Sequence, residues 1–204
     1  MTTAYIERYF QEVMTITRKL DLESIDHMID TLVDIRNNNG RLFFLGVGGG
    51  AGNATHAVND FRKIAGIESY SPTDNVSELT ARINDEGWES AYAKWLKGSR
   101  LNSHDGVFVF SVGGGNTAEN ISVNLVCALK YAHQIRARVL GIVGRDGGYT
   151  AQIADACVII PVANPETITP HTEAFQGIIW HLIVSHPKLR HSEMKWESIN
   201  NDGK

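Results

Sequence analysis

Cysteine is scarce in this chain: two residues in 204, Cys127 and Cys157, both inside apolar runs. So few thiols exclude a disulfide-stapled secreted scaffold and point to a reducing compartment, so a cytoplasmic protein is expected. Proline is scarce too, with five residues, and no repeat, linker or low-complexity tract breaks the sequence. No apolar run reaches the ~18 residues that a membrane helix requires. The N-terminus "MTTAYIERYF" lacks the basic-then-apolar layout of a signal peptide. Charge of one sign is missing as well, since 19 Lys and Arg stand against 23 Asp and Glu. That mild acidity gives nucleic acid and anionic membrane nothing to bind, and neither is expected as a partner.

What the sequence does contain is glycine and short apolar runs. With 43% apolar and 21% charged residues, 204 residues suit one domain with a substantial core. Two helices are expected first, "YIERYFQEVMTITRKL" (5–20) and "ESIDHMIDTLVDIRNN" (23–38), with Asn37 to Gly40 as a stop. Strand patterns follow at 41–46, 66–71, 106–112, 137–144 and 156–162. Helical patterns cover 51–64, 75–83, 88–98, 116–134, 148–155 and 170–185. Strands this short and this apolar on both sides predict an α/β fold, a three-layer α-β-α sandwich around a five-stranded parallel sheet. The whole of 1–204 reads as a single domain: a helical segment 1–39 for oligomerisation, a core 40–186, and a polar tail 187–204. The stretch 191–204 is expected to be frayed or to lie on a neighbour.

Three strand ends carry glycine clusters, "GVGGG" (46–50), "SVGGGNTAEN" (111–120) and "GRDGG" (144–148). In an open parallel sheet, ligands sit at the carboxyl ends of strands, where the strand order reverses. The first two clusters are expected to open helices, so that free N–H groups and the positive helix end face one crevice suited to a phosphate. Neither is a Walker loop, because no Lys-Ser/Thr follows, and "GVGGGAG" has the wrong spacing for a dinucleotide fingerprint. His56 and Asp60 stand four residues apart on the helix after the first cluster, and Glu173 and His181 stand eight apart on a late one. Two histidines and two carboxylates suit a divalent metal, Zn²⁺ first by ligand type. Eight residues span about 12 Å of helix, so Glu173 and His181 share an ion only if the helix start is distorted. His27, His104, His133, His186 and His191 read as packing or surface groups.

These stretches together resemble the sugar isomerase (SIS) family and, within it, the phosphoheptose isomerases, over about residues 40–186. The family's first loop, GNGGS followed by HFAAEL, corresponds to "GVGGG" and "HAVNDF"; its GNDFG corresponds to "INDEGW" (83–88). Its STSGNS corresponds to "SVGGGNT", GKDGG to "GRDGG", and TPRIQE with a later histidine to "TPHTEA" with His181. The resemblance implies one zinc per subunit at His56, Asp60, Glu173 and His181, with Asp60 and His181 as base and acid in aldose–ketose isomerisation of a sugar phosphate. It implies substrate contacts at Gly48, Gly49, Asn84, Asp85 and Glu173, and a phosphate loop at Ser111, Val112, Gly113 and Asn116 or Thr117. It also implies a homotetramer with active sites between subunits, which the apolar stripe of 5–20 suggests independently.

The residue types suit that chemistry. A carboxylate moves the carbon-bound proton as an enediolate forms, and an imidazole or cation stabilises charge on oxygen. The departures from the family pattern are equally specific. Asp60 is a methylene shorter than the family's Glu, Glu173 replaces a neutral Gln, Val47 replaces Asn, and the phosphate-clasping serines are largely gone. Those changes fit an isomerase with its own substrate, and they fit a non-catalytic phosphosugar-binding or regulatory protein.

Overall fold

The computed structural model describes residues 2–195. Both N-terminal helices form, α1 (Thr2–Lys19) and α2 (Leu22–Asn37). Asp21 caps the second, its carboxylate accepting from the N–H groups of Glu23 and Ser24. The chain then runs β1 (Leu42–Gly46), α3 (Gly49–Lys63), β2 (Ser69–Tyr70), α4 (Val76–Glu86), α5 (Trp88–Gly98) and β3 (Gly106–Ser111). It continues α6 (Val123–Gln134), β4 (Arg138–Val143), α7 (Gly148–Ile153), β5 (Ala156–Ile159) and α8 (Ile168–Ser185). All five strands are parallel, in the order β2-β1-β3-β4-β5.

Alternation along each strand divides the core in two. Leu42, Phe44, Phe108, Phe110, Leu140 and Ile142 belong to the core beneath α2, α3 and α8. Phe43, Leu45, Val107, Val109 and Val139 belong to the core under α5 and α6. Burial on both faces is why the strands read as unbroken apolar runs, and it yields the expected three layers. At the base of the sheet, Arg41 grips Asp105 with Nε and Nη2, 3.2 and 2.7 Å from the two carboxylate oxygens, joining the starts of β1 and β3.

Four expectations need correction. Strands β2 and β5 are shorter than their apolar patterns. The helix expected from 116 begins only at Val123, because Asn116 and Ile121 close on each other through reciprocal backbone bonds of 2.9 and 3.0 Å. Within that closed loop, Asn116 Oδ1 accepts from the N–H groups of Ala118 and Glu119, an Asn side chain competing with helix. Asn120 and Ser122 are left-handed, which no helix tolerates. Part of the tail is pinned, since the N–H groups of His191 and Ser192 both donate to the carbonyl of Ile64; residues 196–204 lie outside those described. Lastly, α1 is not given over wholly to oligomerisation, because Ile16 and Glu12 are buried against the body of the protein. Its outer stripe, Tyr5, Ile6, Phe10 and Met14, stays exposed.

Candidate active site

The strand order reverses between β1 and β3, so the crevice of this sheet lies between the chain after Gly46 and the chain after Ser111. Only the first of these glycine stretches opens a helix directly. Gly48, at φ +60°, makes the turn into α3, a conformation that glycine adopts without steric cost. The phenol of Tyr92 donates to the carbonyl of Gly46 at 2.7 Å, pinning the loop from below. The carboxylate of Glu173 lies directly over Gly49, where any Cβ would collide with it. The second stretch is a loop in its own right. Ser111 Oγ accepts from the N–H of Gly114 at 3.0 Å, and Val112 and Gly113 follow half-buried while Thr117 is exposed. The third cluster serves packing: the N–H groups of Tyr149 and Thr150 donate to the carbonyls of Gly115 and Gly114. That occupies the start of α7 and locks the two loops together.

The chemical groups gather elsewhere, in the seam between α3 and α8. These helices run side by side from the same end of the sheet, tied by Asn53, which donates to the Gln176 side chain at 3.0 Å and to the carbonyl of Glu173. Gln176, fully buried, donates in turn to the carbonyl of Ile142 in β4. That chain of bonds sets the register in which His56, Asp60 and His181 meet, their candidate ligand atoms all within 4.8 Å of one another. His56 Nε2 and His181 Nε2 lie 3.9 and 3.8 Å from Asp60 Oδ2. Those distances are too long for hydrogen bonds, and they leave a gap of the size that a shared ion or water would occupy. Asn59 Nδ2 donates to the other oxygen, Asp60 Oδ1, at 2.7 Å, so Oδ2 is the one turned to the histidines. The ring of His181 stacks on Trp180 at 3.5 Å, and His56 meets the same indole edge-on at 4.7 Å.

His181 Nδ1 lies 2.6 Å from the carbonyl of Gly177. A carbonyl only accepts, so Nδ1 carries a proton and Nε2 is the nitrogen turned toward Asp60. That is the orientation a metal ligand needs, secured by an outer hydrogen bond. Three donors of types N, N and O, with one oriented in this way, fit Zn²⁺ with an open fourth position.

Several expected site residues do not join this group. Because α8 is regular from Ile168 to Ser185, Glu173 stays two turns from His181, beside Gly49. Asn84 and Asp85 are exposed near the end of α4, bonded to each other at 2.8 Å. From Gly49, His56 lies about 10 Å and Asp60 about 16 Å along the helix axis at 1.5 Å per residue. The glycine loops and the His-Asp-His group are therefore separate features of one chain.

Sequence reasoning missed a second polar cluster, built from Glu12 of α1 and the approach to α8. Glu12, buried, accepts from Asn164 Nδ2 at 2.7 Å, Thr167 Oγ1 at 2.8 Å and His171 Nε2 at 2.8 Å. The hydrogen bonds from Asn164 and then His171 hold its carboxyl at about 2, down from 4.5. Tyr9 of α1 lies against the His171 ring, centroids 4.3 Å apart. Nothing local marks this set, since its members sit about 150 residues apart. The His181–Trp180 neighbourhood, in contrast, was visible as a dipeptide.

No protein-family model matches the chain. Over 190 residues it is 27% identical to a phosphoheptose isomerase of Syntrophotalea carbinolica, covering 89% of this chain and 91% of the relative. Among solved structures, a phosphoheptose isomerase from Neisseria gonorrhoeae superposes with a TM-score of 0.75 at 23% identity, over 90% of this chain and 95% of that one. Another from Francisella tularensis gives 0.76 at 21% identity, over 90% and 94%. Those two likenesses establish the fold, and the sequence relative extends along nearly its whole length. With this strand order, these motifs in this succession and these relatives, the chain has the fold of the phosphoheptose isomerases of the sugar isomerase (SIS) family and resembles them in sequence along nearly its whole length.

Proposed function

We propose that this protein is a phosphosugar aldose–ketose isomerase acting on a ketose phosphate such as sedoheptulose 7-phosphate. The observation that carries the reading is the meeting of His56, Asp60 and His181 across the α3–α8 seam. A carboxylate between two imidazoles suits a reaction that moves one proton between carbons and another between oxygens. Asp60 Oδ2 takes the proton from one carbon and returns it to its neighbour. His181 Nε2 serves the oxygens, its ring held by the bond to Gly177. The glycine loops bind the phosphate through backbone N–H groups and so orient the reacting carbons.

A single Zn²⁺ is part of the proposal: His56, Asp60 and His181 would hold it, and it would supply positive charge for the developing oxyanion. Asp60 and His181 act on protons only while Oδ2 and Nε2 are not engaged by the ion. Glu173, over Gly49, is assigned to substrate rather than to metal. If the trio holds the ion, His56→Ala removes most of the bound metal and leaves the fold unchanged. Atomic emission on the purified variant measures this, and undiminished metal would assign His56 to packing against Trp180.

The proposal includes a homotetramer with active sites between subunits. Three features support it: the bare stripe of Tyr5, Ile6, Phe10 and Met14; exposed Ile178 and Leu182 beside His181; and His56 and His181 side chains that are each more than half exposed. An enediolate needs shelter from water, and one subunit alone leaves this site open. Sedimentation should show a tetramer at micromolar concentration, and a stable monomer would refute that part. A cytoplasmic location also belongs to the proposal, supported by two free cysteines.

The loss of phosphate-loop hydroxyls favours a second reading, a non-catalytic phosphosugar-binding or regulatory protein. Following C5 to C7 ketose phosphates by NMR in deuterated solvent separates the two. Isomerisation with solvent exchange supports the enzyme, and binding without exchange supports the second reading.

A further inference from the structure

We propose that Arg145 is the phosphate clamp of the second glycine loop, in the place of the missing hydroxyls. Its position follows from the locked pair of loops after β3 and β4. The N–H of Gly144 donates to the carbonyls of Ser111 and Val112 at 3.3 and 3.1 Å. The N–H and Oγ1 of Thr150 both donate to the carbonyl of Gly114, at 2.9 and 2.7 Å. Bonds at both ends of the 144–150 segment hold the backbone of Arg145 rigidly against the loop it serves.

Arg145 has a positive φ of 54°, a conformation that costs energy for any residue with a Cβ and persists only where the surroundings impose it. Its side chain is exposed, and its guanidinium makes no hydrogen bond or ion pair among the described residues. Over Gly113 the space is open: the one atom within 4 Å of where a Cβ would stand is Cδ of Arg145, at 3.9 Å. An unpaired guanidinium thus rises beside the bare backbone of the loop, at the carboxyl end of the sheet near the reversal of strand order. The chemistry that fits is a phosphate monoester dianion, which a guanidinium takes through two parallel N–H bonds. The serine-poor loop then has a reason: a fixed, charged donor supplies what neutral hydroxyls otherwise would.

This inference takes its substrate class from the isomerase reading, but its first test does not depend on turnover. Titrating inorganic phosphate into the intact protein measures the anion site directly. Arg145→Gln should weaken phosphate binding about 10- to 100-fold, the span for one charge-assisted contact, and Arg145→Lys should fall between, having charge without the fork. Arg145→Gly should weaken it as Gln does without lowering Tm, because glycine accepts the left-handed backbone; a purely structural Arg145 would show the reverse. In the kinetic arm, kcat/KM for sedoheptulose 7-phosphate should fall by a similar factor in Arg145→Gln, while that for unphosphorylated sedoheptulose should not. Equal phosphate affinity in wild type and Arg145→Gln overturns the proposal, whatever the enzyme does. Arg145-dependent phosphate binding without isomerisation of any sugar phosphate upholds the clamp and refutes the isomerase reading instead.

Discussion

Asp60→Asn should abolish exchange of the substrate's C2 proton with solvent deuterium, a fall of about 10³-fold or more. Asn keeps the size of Asp and the hydrogen bond with Asn59, but it accepts no proton near neutral pH. The loss is therefore one of chemistry and not of shape. Phosphosugar affinity should survive, because the proposal gives the anion to the loops at 46–50 and 111–117, and the first of these lies about three helical turns from Asp60. Asp60→Glu tests whether the shorter side chain is an adaptation. Oδ2 of Asp60 already stands 3.9 and 3.8 Å from the two imidazoles, so an added methylene crowds both, and activity should drop. A rise toward the rate of a typical family member would mean that the site has decayed around a relic. Wild-type proton exchange in Asp60→Asn would refute the mechanism, leaving Glu173 as the remaining carboxylate on the seam.

Glu12→Ala should cost about 3 kcal/mol of stability at neutral pH, because it strands three donors at once: buried Thr167 and His171 and half-buried Asn164. In a chain of this length that corresponds to a fall in Tm of roughly 6–12 °C. The pH dependence gives an independent signature. The folded carboxyl titrates at about 2, below its ordinary 4.5. A depressed carboxyl contributes stability that is fully present above 4.5 and is lost as pH falls through 4.5 toward 2. Wild type should therefore lose its advantage over Glu12→Ala across that window, and the two Tm values should converge near pH 2. Thermal unfolding of both proteins at pH 7 and pH 3 measures it. Equal Tm at pH 7 would mean that α1 does not dock on α8 in solution.

Much of this protein was determined by local sequence. Apolar runs set the strands, because burial on both faces demands them, and the 3.6-residue spacing set α1, α2, α3 and α8. His56 and Asp60 were bound to share a face, since four residues make about one turn. The glycine clusters marked the carboxyl ends of β1, β3 and β4, because sharp turns need residues without a Cβ. What only the tertiary structure decided is how separate stretches meet. The late start of α6 depends on Asn116 and Ile121 closing on each other, a pairing that a helical pattern from 116 does not disclose. The meeting of His181 with Asp60, and the exclusion of Glu173 from that group, follow from the register that Asn53, Gln176 and Ile142 impose on the α3–α8 seam. Arg145 beside Gly113 and Glu12 beneath His171 are of the same kind. Each joins residues tens to more than a hundred positions apart, and helical or strand periodicity carries no information over that distance; only packing against the common sheet brings them together.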